Sequence, residues 1–191
     1  GRQMNDIIDS VRRMEEAILE TYQVSVEWVE LADIFTEVGF VMRSRALAKN
    51  IELVVTPPPP ELLALADRVT LIHNVVNNFI SNSIKFSHAG SKVELWAESQ
   101  NFEVSIFIRD SGIGMDAIVV GRLFERHKNT SRIGTGSEVG SGFGMPLAHY
   151  FITRYGGRVQ VRSTPESESI DSHGTVFIIT LPSMPLSAIA S

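Results

Sequence analysis

Residues 75–87 read Val-Val-Asn-Asn-Phe-Ile-Ser-Asn-Ser-Ile-Lys-Phe-Ser. At 3.6 residues per turn, Val75, Val76, Phe79, Ile80 and Ile84 fall on one apolar stripe. Asn78, Asn82 and Lys85, at i, i+4 and i+7, fall on a second, polar one. Asparagine is a weak helix former because its amide competes for backbone hydrogen bonds, so two of them stacked in mid-helix need a reason. Two reasons are open. Either the face is solvated, or it is a ligand face. A carboxamide oxygen is a neutral, hard donor suited to Mg²⁺, and an ammonium one turn on suits the phosphates such a metal carries.

Working outward, Asp67 is the expected N-cap of a helix over 68–86. Upstream, Leu31, Ile34, Phe35, Val38, Val41, Met42 and Leu47 predict a helix over 31–49. Its acids come early and its bases late, the order the helix dipole favours. Residues 51–55 and 63–66 read as short strands on either side of four prolines, 57–60, whose fixed φ and missing N–H groups end the first. Val24, Val26 and Trp28 alternate as a further strand, and His73, beside Ile72, reads as a structural residue on a buried helix. Met4, Ile7, Val11, Met14 and Ile18 keep heptad spacing, which fits a coiled-coil seam or an amphipathic helix packed on its own domain.

Downstream, 92–97 and 103–108 predict a hairpin around Gln100-Asn101. Residues 115–143 lack apolar periodicity and read as one long loop rich in glycine and cations. A helix over 143–155, a strand pair over 158–163 and 175–181, and a frayed tail complete the pattern.

Composition narrows the classes. With 191 residues, 43% of them hydrophobic and 20% charged, the chain suits one well-buried domain. No apolar run reaches the roughly 20 residues of a spanning helix, so no membrane contact is expected. A net charge of -5 argues against a nucleic-acid partner. The lack of cysteine removes disulfides and thiolate metal sites and fits a cytoplasmic location. Gly1 is not an initiator Met and no signal peptide follows it. The chain therefore reads as a piece of a longer parent, with any membrane anchor upstream.

Two further glycine motifs join the asparagine face. Asp110-Ser111-Gly112-Ile113-Gly114 stands at a strand end, where glycines let backbone approach a flat ligand and a carboxylate can accept from an exocyclic amine; a plain turn fits it as well. Gly140-Ser141-Gly142-Phe143-Gly144 opens a helix, whose N–H groups and dipole attract phosphate. Taken in order, NNFISNSIKFS, DSGIGM, RLFERH and GSGFGMPLA resemble the N, G1, F and G2 boxes of the ATP-binding catalytic domain of sensor histidine kinases. These belong to the GHKL superfamily, with type II topoisomerases and related ATPases. The resemblance covers about 31–182, and GTVFIITLP is similar to the family's closing strand.

The resemblance implies an α+β Bergerat fold: a two-layer sandwich with a mixed sheet of about five strands, about three helices on one face, and an N-terminal helix before it. It divides the chain into 1–22, the end of a dimerising, phosphoacceptor hairpin, 23–182, the ATP-binding domain, and 183–191, a tail. The cofactors it implies are ATP and Mg²⁺. Asn82 would ligate the metal, Asn78 would bond metal-bound phosphates or their water, and Lys85 would neutralise phosphate charge. Asp110 would accept from the adenine amine, with Gly112, Ile113, Gly114 and Met115 shaping the base pocket. Phe124 would anchor a lid, and Gly140, Gly142, Phe143, Gly144 and Met145 would close over the triphosphate, with Arg126 or Arg132 near the γ-phosphate. His127 stands where the family often has an aromatic residue.

In hydrolysing branches of the superfamily a glutamate base occupies the place of Asn78. An amide cannot take the proton, so transfer to another nucleophile is the expectation. That nucleophile would be a histidine outside this chain, followed by a response-regulator aspartate, within a homodimeric parent. None of the five histidines carries the family's acceptor pattern. Rival readings are a GHKL ATPase or serine kinase, and a catalytically silent ATP-binding module.

Overall fold

The computed structural model describes residues 22–125, 134–136, 142–169 and 172–184. The expected helix before residue 22 lies outside them, as do Gly140, Arg126, His127 and Arg132.

Two helices carry a large share of the core. Helix α1 (Leu31–Ala48) buries Leu31, Ile34, Phe35, Val38, Met42 and Ala46, the i, i+3, i+4 face that the sequence marks. Helix α2 spans 68–86 and opens as expected, the Asp67 carboxylate accepting from Thr70 N–H at 2.9 Å. Its interior is not uniform, because Leu71–Val76 forms a π turn before Asn77–Phe86 resumes the α-helix. The buried positions explain why. They are 71, 75, 79 and 83 with 72, 76, 80 and 84, a strict four-residue repeat. A pure α-helix would drift about 40° per repeat. The wider π turn takes up that drift, so all eight side chains reach the core. His73 is exposed on this helix, while its neighbour Ile72 is buried.

The sheet runs β2-β4-β5-β7-β6, from Glu52–Val55, Lys92–Gln100, Glu103–Asp110, Gly174–Pro182 and Arg158–Thr164. Only β2 and β4 pair in parallel, so the sheet is mixed. Cross-strand register puts Leu95, Ile108 and Phe177 in one row and Ala97, Ile106, Ile179 and Val159 in the next, on the face under the helices. Ile106, Ile108 and Ile179 are wholly buried there, each contributing about 1.5–3 kcal/mol. The opposite face carries Trp96 stacked on Phe107, 4.9 Å between ring centroids.

A two-stranded sheet, β1 (Glu27–Glu30) with β3 (Leu63–Ala66), is an addition to the expected architecture. Tyr22, assigned by sequence to the leading segment, packs edge-on against Phe151. Its hydroxyl donates to Asp67 Oδ2 at 3.3 Å. At the other end Ser183 is buried, with its N–H on Phe102 O and its hydroxyl on Leu63 O, so the chain is still anchored one residue into the expected tail.

The stretch expected to be one loop from 115 contains a helix, α3 (Ala117–Arg122). Asp116 caps it, its side chain accepting from Val119 N–H at 2.8 Å. None of its residues is buried, which is why the stretch has no apolar periodicity. Helix α4 (Gly144–Arg154) follows, with Pro146 in its first turn.

Candidate nucleotide site

Asp110 is the last inward-facing residue of β5, two positions beyond Ile108, opposite Thr175 on β7. Being at the strand end, it is buried without being enclosed by the apolar rows. Its Oδ1 accepts from Gly112 N–H at 3.0 Å and from Thr175 N–H at 3.1 Å. The second oxygen takes no backbone donor among the described residues, and the Ser83 hydroxyl is the side-chain donor beside the carboxylate. Burial pushes the Asp110 carboxyl above its ordinary value, opposed by those N–H donors, by the nearby Ser83 hydroxyl and by His173. His173 itself is held by an Nδ1 contact of 2.6 Å to Gly112 O.

In front of Asp110 lies a cavity of about 50 Å³ lined by Asn82, Phe86, Asp110, Gly114, Met115, Val119, Leu123, Met145, Thr175 and Phe177. Its size suits part of a ligand, since pockets for whole small molecules run to roughly 300–1,000 Å³. Five of the sequence-derived residues meet here: Asn82, Asp110, Gly114, Met115 and Met145. The walls come together because glycine allows close approach. Gly114 has φ of +62°, and a Cβ on it would collide with the Thr164 carbonyl. A Cβ on Gly112 would collide with the Phe86 carbonyl.

The polar face of α2 divides by role. Asn78 Nδ2 donates to Asn74 O at 2.7 Å and across to Gly144 O at 3.2 Å, tying α2 to the start of α4. Asn82 is half-buried and lines the cavity, and its side chain makes no hydrogen bond among the described residues. Lys85 places its amine 4.7 Å from the Phe86 ring centroid. Helix α4 has Phe143 at its N-cap position with no side-chain cap, and its first turn lies beside Asn78. Gly142, just before it, has φ of +74°, a left-handed turn that glycine permits. Phe124 stacks on His149 of α4 at 5.0 Å rather than on the cavity, whose wall here is Leu123.

The C-terminus of α2 joins these walls. The last four carbonyls of a helix have no partner inside it. Here Ser83 O accepts from Ser87 Oγ at 2.7 Å and Ile84 O from Ser87 N–H at 3.4 Å. Lys85 O accepts from Lys49 Nζ at 2.6 Å and Thr135 N–H at 3.2 Å, and Phe86 O from Ile113 N–H at 3.0 Å.

Sequence reasoning left out Phe86, Val119, Leu123, Thr175 and Phe177 as lining residues. A signal existed for Thr175: the alternation Thr175, Phe177, Ile179, Leu181 puts it on the inner face at a strand end. Its pairing with Asp110 did not follow from the pattern.

Over residues 67–185 the sequence matches the family described as histidine kinase-, DNA gyrase B- and HSP90-like ATPase, and the chain belongs to that family. It is 28% identical over 157 residues to the sensor histidine kinase AtsR of Burkholderia thailandensis, covering 81% of this chain and 25% of that protein. With the alginate biosynthesis sensor protein KinB of Pseudomonas aeruginosa it shares 29% over 168 residues, 84% of this chain and 26% of KinB. Full-length ShkA, solved in complex with AMPPNP, superposes with a TM-score of 0.66 at 25% identity, over 85% of this chain and 32% of that one. The chain thus spans about a quarter of the length of these two curated relatives. Its fold is that of the catalytic ATP-binding domain of histidine kinases, as the box order implied. No helix among the described residues is long and apolar enough to cross a membrane.

Proposed function

We propose that this chain binds Mg²⁺-ATP and serves, within a longer parent, as the catalytic domain of a two-component histidine kinase. The single observation that carries the reading is the Asp110 carboxylate. One oxygen is fixed by two backbone donors, and the carboxylate lines a cavity that Asn82, Phe86 and Met145 also line. A fixed, desolvated acceptor of this kind is suited to an exocyclic amine on a flat base.

The residues present fit a nucleotide-borne metal. Magnesium keeps several waters and takes one or two protein ligands plus phosphates. The Asn82 carboxamide, without a protein partner among the described residues, has its oxygen available for that role. When bound, the ion would neutralise charge on the transferring phosphoryl group. Lys85 would add a second positive charge, and the N-terminus of α4 would receive the phosphates, with Gly142, Phe143 and Gly144 bringing backbone close. Asn78 holds α4 against α2 and has no titratable group, so it cannot act as base toward water. That favours transfer over hydrolysis. In the transfer, the bond from the γ-phosphorus to the ADP oxygen breaks and one to a histidine nitrogen outside this chain forms, followed by passage to a response-regulator aspartate. The segment 1–22 would be the end of the helical hairpin that presents the histidine and dimerises the parent.

Isothermal titration with a non-hydrolysable ATP analogue tests the first step. Binding is expected to strengthen with Mg²⁺, and Asn82→Ala should abolish that strengthening while leaving metal-free binding near wild type. Binding by the Asn82→Ala variant that still rises with Mg²⁺ would remove Asn82 as the ligand, and no binding by wild type would remove the whole reading. The chain alone should not phosphorylate itself.

A further inference from the structure

We propose that Thr135 is a positioning residue for the nucleotide base, acting through Phe86; this rests on the nucleotide-binding reading above. Thr135 lies in the short described segment 134–136, far in sequence from α2, yet it bonds to carbonyls on both sides of Phe86. Its N–H donates to Lys85 O at 3.2 Å, and its hydroxyl donates to Ser87 O at 2.6 Å, with a longer 3.2 Å approach to Lys85 O. Phe86 carries the aromatic ring that lines the cavity beside Asp110. Its own carbonyl is taken by Ile113 N–H. The three carbonyls from Lys85 to Ser87 are therefore held in series by Thr135, Ile113 and the Lys49 side chain, and the peptide units that flank Phe86 cannot turn without breaking a bond. The helix ends at this point, with Ser87 already extended at φ -94°, ψ 148°. Without an outside partner, such an end would fray and let the ring move.

A hydroxyl is required because the Ser87 carbonyl has no other donor among the described residues. Lys49 Nζ on the Lys85 carbonyl keeps the helix terminus charge-balanced, but it does not reach the far side of Phe86. Thr135 is half-buried and Gly134 beside it is buried, so water is a poor substitute for the lost donor.

The test is the release rate of a fluorescent ATP analogue from the full 191-residue chain, chased with excess ATP, for Thr135→Val, Thr135→Ala and Thr135→Ser. Val and Ala should release the analogue about fivefold faster, the scale of one neutral hydrogen bond. Ser should restore the wild-type rate, and association rates should be unchanged. All variants should melt within a few degrees of wild type without nucleotide, which separates positioning from plain loss of structure. Wild-type release by the Val and Ala variants, or release from Ser as fast as from Val, would overturn the assignment while leaving nucleotide binding standing. Failure of the wild-type chain to bind the analogue would remove both.

Discussion

Asp110 and Asp67 are both buried carboxylates, and their surroundings push them in opposite directions. At Asp110 burial dominates and raises the carboxyl above its ordinary value. A raised acid favours the protonated form in the fold, so its stabilising contribution is present at low pH and lost as pH rises through the folded value. At neutral pH the ionised Asp110 is therefore a cost retained at the site. Asp110→Asn keeps an acceptor for Gly112 and Thr175 and removes the desolvated charge. The variant should unfold at equal or higher urea concentration than wild type at pH 7, yet bind ATP at least about tenfold more weakly, since hydrogen bonds to charged groups contribute about 1.5–3 kcal/mol. At Asp67 burial also pushes upward, but it is outweighed by donors from Thr70, Ser25 and Tyr22, and the carboxyl is held low. Here the contribution is complete above the unfolded value near 3.9 and is lost as pH falls through the folded one. Asp67→Ala should cost about 1–2 kcal/mol in urea unfolding at pH 7. The difference should shrink in the same measurement at about pH 3. Thr70 passes the Asp67 contact onward to the buried Tyr155 hydroxyl at 2.5 Å, so the same variant loosens the end of α4.

Helix α3 is the element with the least holding it. It spans six residues, has none buried, and exposes Ile118. Opening it loses little apolar contact, so its amides should exchange in hydrogen–deuterium experiments far faster than those of β5 and β7, which are paired on both sides. Because Val119 and Leu123 line the cavity, ATP analogue should slow exchange in α3 more than in any strand. Protection as high in α3 as in β5 without ligand would contradict this account. The same weakness hid the helix from the sequence: periodicity records burial, and an element that buries nothing leaves none. The long helix shows the converse. The Asp67 cap and the apolar stripe gave its limits, but the repeat of four that demands a π turn is visible only once the buried set is known. Asn82 and Asp110 were legible because their chemistry is unusual for a helix interior and a strand end. Thr135 was not, since an isolated threonine between glycines has no pattern to betray it.

For the molecule as a whole, strand identities followed from alternation and turn residues, while strand order did not. Nothing local tells β2 to lie parallel beside β4, or β6 to close the edge beyond β7. The order of the four boxes supplied the architecture instead, because a family's boxes carry its topology with them. The arrangement that results puts the cavity and the helices on one side of the sheet. Trp96 lies on the other, stacked on Phe107, and Trp28 lies on β1; neither lines the cavity. These are the only two indoles in the sequence. Their ultraviolet emission should shift to longer wavelength as denaturant opens the stacked pair, and should stay flat when nucleotide is added. A laboratory that followed intrinsic fluorescence alone would record a folded protein that ignores its ligand, so occupancy has to be read by calorimetry or by a label on the nucleotide.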